Sequence, residues 1–278
     1  SILCAGLDPA EYEMGRGEAR LEGGVNKKEW AAAYLHAVSP YCAAVKPNIQ
    51  YWKNRGDMET LFEVFALAES LGLVVIDDSK LADIGSTNAA GLYFASLRAH
   101  AVTVAPFAGN LKETSFLAQK FKVGIISMCL MSNPEYRDEK RKLVPIGDDE
   151  KDSYRQADLL KIDGELYARQ YIKLARDAAR FAVDGLVIGA PSGKNHIRLE
   201  DLETIRHYTG DDMAVLCPGM GAQGGEAEVM LKIFGRDNVI VNVGRHLMFP
   251  KDSSSTTDDQ REAARQFAAK LNTARRSL

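Results

Sequence analysis

Short runs of apolar residues without polar alternation recur along the chain, separated by longer stretches in which apolar positions return every three or four residues. Unalternating β-branched runs suit strands covered on both faces, and amphipathic helices between them suit the crossovers of a parallel sheet. The runs read as strands are ILCAGL (2–7), AAVKP (43–47), LVVID (73–77), AVTVAP (101–106), VGIISMCL (123–130), GLVIGA (185–190), MAVLCP (213–218) and VIVNVG (239–244). Between them, Tyr167, Tyr171, Leu174, Ala178 and Phe181 step by three and four and predict one shared helix face. Asn26 with Glu29, and Thr257 with Gln260, have capping-box spacing and predict helix starts at about those points.

Eight strand-helix units predict an α/β chain folded as a (β/α)8 TIM barrel, a single domain over 1–278. An open doubly wound sheet would ordinarily carry a glycine-rich fingerprint after its first strand, where this chain has GLDPAEYEMG. The polar segment NPEYRDEKRKLVPIGDDEKDSYRQADLLK (133–161) has too few apolar residues for a core of its own. It is expected to be a solvated insertion after the fifth strand.

Composition narrows the partners. Hydrophobic residues make up 46% of the chain and charged ones 26%, an ordinary globular balance, and no stretch is long and apolar enough to cross a bilayer. A formal net charge of -3 leaves no basic surplus to track a nucleic-acid backbone, so any phosphate bound should belong to a small molecule. Cys4, Cys42, Cys129 and Cys217 lie far apart with no CxxC pair, and no secretory leader is evident. Reduced core thiols and a cytoplasmic location are expected. The five histidines show neither HxxxH nor HExxH spacing and read as surface or packing residues.

In a barrel of this kind the chemistry gathers at the C-terminal ends of the strands. There the sequence places Asp8 after the first run, Lys46 in the second, Asp78 and Lys80 after the third, PGMGAQGG (218–225) after the seventh, and Gly244 and Arg245 after the eighth. One charge at a strand end is usually just a solvated cap, but five strands contributing at one mouth form a set. Lys46 in YCAAVKPNI and Lys80 after LVVIDDS are costly in such apolar company unless carboxylates pair with them, and Asp78 and Asp83 are the candidates. Asp78 and Lys80, two apart on an extended backbone, point to one side, while Asp77 faces the other way and reads as structural. Asp83 lies beyond the strand, placed either to fold back or to reach a neighbouring subunit. The glycines around Gln223 can aim backbone N–H groups at an anion, and Arg245 can grip a phosphate bidentately.

DSKLADIGST resembles the DxKxxDI signature of the orotidine 5'-monophosphate decarboxylase family, and GLDP, AVKPN, MSNP, PGMGAQGG and VGR follow in the family's order from Leu7 to Arg245. The GLDP and SNP forms resemble its longer bacterial branch. The resemblance implies decarboxylation of orotidine 5'-monophosphate to UMP and carbon dioxide, the last step of pyrimidine nucleotide synthesis, with no cofactor and no metal. It implies a Lys46, Asp78, Lys80, Asp83 catalytic network, with Asp83, Ile84 and Thr87 supplied by the partner subunit of a homodimer. Asp8 and Lys46 would hold ribose hydroxyls and Ser132 the pyrimidine. Gln223, Gly244 and Arg245 would take the phosphate, with Pro218 at the head of that loop among the substrate-binding positions. Two departures stand out: Leu81 and Ala82 replace the common Arg-Gly, and Asn133 stands where many members have His.

Two other readings fit part of the pattern. Related phosphosugar barrels, such as 3-keto-gulonate-phosphate decarboxylases and hexulose-phosphate synthases, carry a similar DxKxxD motif around a divalent metal, but Ser132 and Gln223 suit a pyrimidine nucleotide better. A catalytically idle nucleotide sensor would have no need of two lysines buried among carboxylates.

Overall fold

The computed structural model describes residues 1–54, 56–219 and 225–278. The strands are β1 (Leu3–Leu7), β2 (Ala44–Pro47), β3 (Val74–Leu81), β4 (Ala101–Val104), β5 (Gly124–Leu130), β6 (Leu143–Ile146), β7 (Leu159–Ile162), β8 (Glu165–Arg169), β9 (Gly185–Ile188), β10 (Ala214–Pro218) and β11 (Val239–Val243). Eight of them close a parallel barrel in the order β1-β11-β10-β9-β5-β4-β3-β2, the architecture expected from the sequence. Each barrel strand coincides with one of the eight apolar runs. Two ends differ. The run at 101–106 stops pairing at Val104 because Pro106, which has no N–H to donate, opens a 3-10 turn. The run at 73–77 extends through Lys80 to Leu81, with a register shift against β4 between Asp77 and Leu81.

Alternation along the strands divides the core. Cys4, Ala44, Ile76, Ile126, Val187 and Leu216 form a small cluster of their own, the layer filling the barrel's interior. Their neighbours Leu3, Val45, Val75, Ile125, Leu186 and Val215 face outward and join the larger core beneath the helices. Burying each such side chain contributes roughly 1.5–3 kcal/mol, so the strands are held on both faces. Continuing the inward alternation, the next layer up carries Lys46, Asp78, Thr103 and Asn242, all buried. Apolar packing below and charge above is the physical reason the mouth is where chemistry can occur.

The helix starts follow local hydrogen bonding. Asn26 caps Lys27–Val38, its side-chain oxygen accepting from the N–H groups of Lys28 and Glu29 at 3.0 and 3.2 Å. The second capping box lies one residue earlier than its expected place. Thr256 caps Thr257–Arg276 and Asp259 closes the box, while Gln260 is buried and donates to the Met248 carbonyl at 2.8 Å. The face expected over 167–181 begins only with the helix Gln170–Arg180; Tyr167 belongs to β8 and pairs with β6 and β7.

The polar insertion holds more structure than a solvated excursion. β6, β8 and β7 form a three-stranded antiparallel sheet. Its tight turn is Asp163-Gly164, both with positive φ (49° and 92°), the dipeptide favoured in two-residue hairpins and the signal that the sequence reading overlooked. Ile146, Tyr154 and Ala168 are buried in the main core. Glu150 ties the insertion to the helix Gln170–Arg180 through Lys173, Arg176 and Arg180 at 3.1, 3.0 and 2.6 Å.

Candidate active site

At the mouth, Asp78 sits between two ammonium groups. Lys46 Nζ donates to its Oδ2, and Lys80 Nζ donates to Oδ1 at 2.6 Å. Lys46 and Asp78 are buried, 7% and 5% exposed, whereas the Lys80 side chain is 42% exposed and reaches toward the opening. Burial pushes the Asp78 carboxyl up, but the charges of Lys46 and Lys80 outweigh it and hold the group below its ordinary range. Burial pulls the Lys46 ammonium down, and Asp78 with Asp8 more than restores it. Both groups therefore stay ionised, and removing either would leave a buried charge uncompensated, at a cost of about 3–5 kcal/mol.

Thr103, which the sequence reading did not single out, organises this pair. Its hydroxyl donates to Asp78 Oδ1 at 2.9 Å and accepts the backbone N–H of Lys80 at 2.9 Å. Lys80 itself has φ 51°, a left-handed conformation uncommon outside glycine, costing on the order of 1–3 kcal/mol and held by its surroundings. Asp78 and Lys80 thus meet as expected, but through a bulged backbone and not a plain extended strand.

Two further buried oxygens at the mouth lack any hydrogen-bond partner among the described residues: Oδ1 of Asp8 and Oδ1 of Asn242. Burial raises the Asp8 carboxyl, with Lys46 partly opposing it. Unsatisfied buried acceptors are costly, and ligand hydroxyls or N–H groups would satisfy them. Asn242 was also missed. The only polar residue inside VIVNV was its signal, as Thr103 was in AVTV.

The remaining expected residues divide. Ser132 follows β5 and packs against Gly189, where an added Cβ would come within 2.9 Å of the Ser132 Cβ. Gly244 follows β11, and its Cα would lie 2.8 Å from a Cβ at Gly6, so the glycine pair lets two backbones close at the mouth. Pro218 ends β10, and Arg245, itself exposed, begins a short helix, Arg245–Met248, whose Leu247 and Met248 are buried. Gln223 lies outside the described residues. Asp83 does not join Lys80 within the chain: its carboxylate accepts the N–H of Ile84 at 2.8 Å, and Asp83, Ile84 and Thr87 are all exposed. Asp77 points away, as expected. It accepts from the Ser79 hydroxyl, and burial pushes its carboxyl up to about 6. Among the described residues, no group of three or more His, Cys, Asp and Glu side chains is arranged to hold a metal ion, and no helix is long and apolar enough to cross a membrane.

A closed parallel barrel with ionised groups converging at the C-terminal ends of its strands defines an enzyme of the (β/α)8 class. Within that class, the chain belongs to the orotidine 5'-phosphate decarboxylase / HUMPS family, whose model matches residues 1–259. It is similar to the orotidine 5'-phosphate decarboxylase of Azoarcus sp. (strain BH72), 31% identical over 283 residues that cover 98% of this chain and 93% of that protein. The enzyme of the same name from Halobacterium salinarum (strain ATCC 29341 / DSM 671 / R1) is 29% identical over 98% of this chain and 93% of its own. Among solved structures, Leishmania donovani OMP decarboxylase shares the fold with a TM-score of 0.72 at 23% identity, covering 100% of this chain and 95% of that one. Orotidine 5'-monophosphate decarboxylase from Methanocaldococcus jannaschii, complexed with inhibitor BMP, superimposes at 0.66 with 22% identity, covering 97% and 98%.

Proposed function

We propose that this chain decarboxylates orotidine 5'-monophosphate to UMP and carbon dioxide, the last step of de novo pyrimidine nucleotide synthesis, without metal or organic cofactor. Family membership supports the reaction, and the observation that carries the mechanism is Asp78 held between Lys46 and Lys80. Loss of carbon dioxide leaves a carbanion at C6 of the pyrimidine, with no adjacent ring carbonyl placed to delocalise it. The Lys80 ammonium stabilises that charge and then delivers its proton to C6. Asp78 pairs with Lys80 and orients it. It also faces the substrate carboxylate, and two like charges about 4 Å apart repel by about 4 kcal/mol at an effective dielectric of 20. Enzymes lower barriers by roughly 8–23 kcal/mol, so preorganised positive charge at the carbanion carries more of the effect than relief of repulsion.

In this reading, Asp8 and Lys46 bind the ribose hydroxyls and Ser132 the pyrimidine. Pro218, Gln223, Gly244 and Arg245 receive the phosphate, whose binding energy orders the mouth. Asp83, Ile84 and Thr87 serve the neighbouring site of a homodimer. The exposed apolar side chains of Ile84, Phe107 and Phe116, at 57%, 51% and 70%, support such an interface. Free thiols at Cys4, Cys42 and Cys129 support a reducing, cytoplasmic setting. The test is ultraviolet detection of orotidine monophosphate loss with and without excess chelator. Equal turnover in both is expected, and turnover abolished by chelator would overturn the metal-independent mechanism.

A further inference from the structure

A second basic cleft is lined largely by the segments that follow β5 and β9, and none of Asp8, Lys46, Asp78, Lys80 or Arg245 is among its lining residues. Its volume is about 590 Å³, the size of a small-molecule site. Six lysines and arginines line it against two carboxylates, in a chain whose formal net charge is -3. One ion pair is internal: Lys140 is buried, donates to Asp201 at 2.6 Å and also donates to the His196 carbonyl at 2.8 Å. Arg137, Arg141, Arg169 and Lys194 are exposed, and none has a carboxylate at ion-pair distance among the described residues. Surface cations normally disperse or pair with acids. Four unpaired ones around a concave site with a buried ion pair in its wall make a positive potential that a compact anion would satisfy.

The cleft also carries an incomplete polar contact and a physical link to the mouth. Nδ1 of His196 is buried with no partner among the described residues, while Nε2 lies 3.2 Å from the Asn133 carbonyl oxygen. Asn133 directly follows Ser132, and the His196 ring stacks on buried Tyr136 with centroids 6.3 Å apart. His196 thus bridges the cleft wall and the backbone beside Ser132.

We propose that this cleft binds a small polyanion bearing two or more phosphate groups, and that its occupancy is transmitted through His196 and Asn133 to the mouth. Planar arginine forks match phosphate oxygens bidentately, and spacing several cations around one cleft favours linked phosphates over a single one. The limited volume and acidic overall charge favour a small molecule over a nucleic-acid strand. The transmission half rests on the decarboxylase reading; the binding half does not.

The experiment is calorimetric titration of the full chain with inorganic tripolyphosphate, followed by steady-state kinetics at saturating tripolyphosphate. Expected are saturable binding that UMP does not displace, binding retained in Arg245→Ala, and a changed KM for orotidine monophosphate. Arg137→Gln and Arg169→Gln should each weaken tripolyphosphate by about tenfold, as loss of a charged hydrogen bond implies, with kcat unchanged when tripolyphosphate is absent. Absence of saturable heat, or displacement by UMP together with loss in Arg245→Ala, would overturn the site. Tighter binding of a single-stranded RNA oligomer through the same arginines would overturn the small-molecule assignment. Binding with an unaltered KM would overturn the transmission, and because heat is read without turnover, failure of the decarboxylase reading leaves the binding result intact.

Discussion

Lys80 donates to Asp78 across 2.6 Å although the two stand only two positions apart on one strand. A regular strand would send both side chains outward in parallel; the left-handed backbone at Lys80 turns the ammonium back over the carboxylate. This closure leaves the ammonium paired, partly exposed and aimed at the opening, the arrangement that a proton donor to a carbanion requires. Lys80→Ala should therefore abolish decarboxylation while binding of UMP stays within about tenfold of wild type by fluorescence or calorimetric titration. Retained turnover would exclude Lys80 as the donor.

Thr103 acts through its neighbours. Thr103→Val keeps the volume but removes the donor to Asp78 and the acceptor for the Lys80 N–H, so kcat should fall about tenfold or more with a smaller change in KM. Thr103→Ser, which preserves the hydroxyl, should restore kcat. A purely structural role would instead show as equal loss of stability in both variants without the kinetic difference.

The exposed position of Asp83 leads to a mixing experiment. If each site takes Lys80 from one subunit and Asp83 from the other, Lys80→Ala and Asp83→Ala chains, each inactive alone, form a mixed dimer with one intact site. After co-refolding in equal amounts, about a quarter of wild-type activity should return. Sedimentation should show a dimer that Ile84→Asp dissociates, since a charge replaces an exposed apolar contact. No recovery on mixing would place Asp83 outside the shared site.

Asp77 should make stability depend on pH. Its folded carboxyl, pushed up to about 6 from 3.8 by burial, keeps a proton that the unfolded chain has already lost between those values. Stability contributed by the neutral form is thus present below about pH 4 and is lost as pH rises through about 6, on the order of 3 kcal/mol for this shift. Asp77→Asn should gain stability relative to wild type at about pH 7.5 and show little gain at about pH 4, by urea unfolding. An equal effect at both pH values would rule out this titration.

The architecture was readable from the chain because buried parallel strands need apolar side chains on both faces, which prints eight unalternating runs in order. Lys46, Asp78 and Lys80 were readable for a related reason: charge at the end of an apolar run is costly, so its presence marks a paired site. The hairpin sheet of the insertion was hidden by its polar composition, although Asp163-Gly164 was a local sign of it.

Sequence alone, then, determined the eight barrel strands and which charges stand at their ends, since those follow from periodicity and desolvation within a few residues. Tertiary structure alone decided that Thr103 meets Asp78, that Asp83 turns away from Lys80 within the chain, and that Arg137, Arg169 and Lys194 line one cleft. Such meetings depend on strand register, a left-handed backbone at one lysine and the packing of distant loops, and none of these leaves a periodic trace in the order of residues.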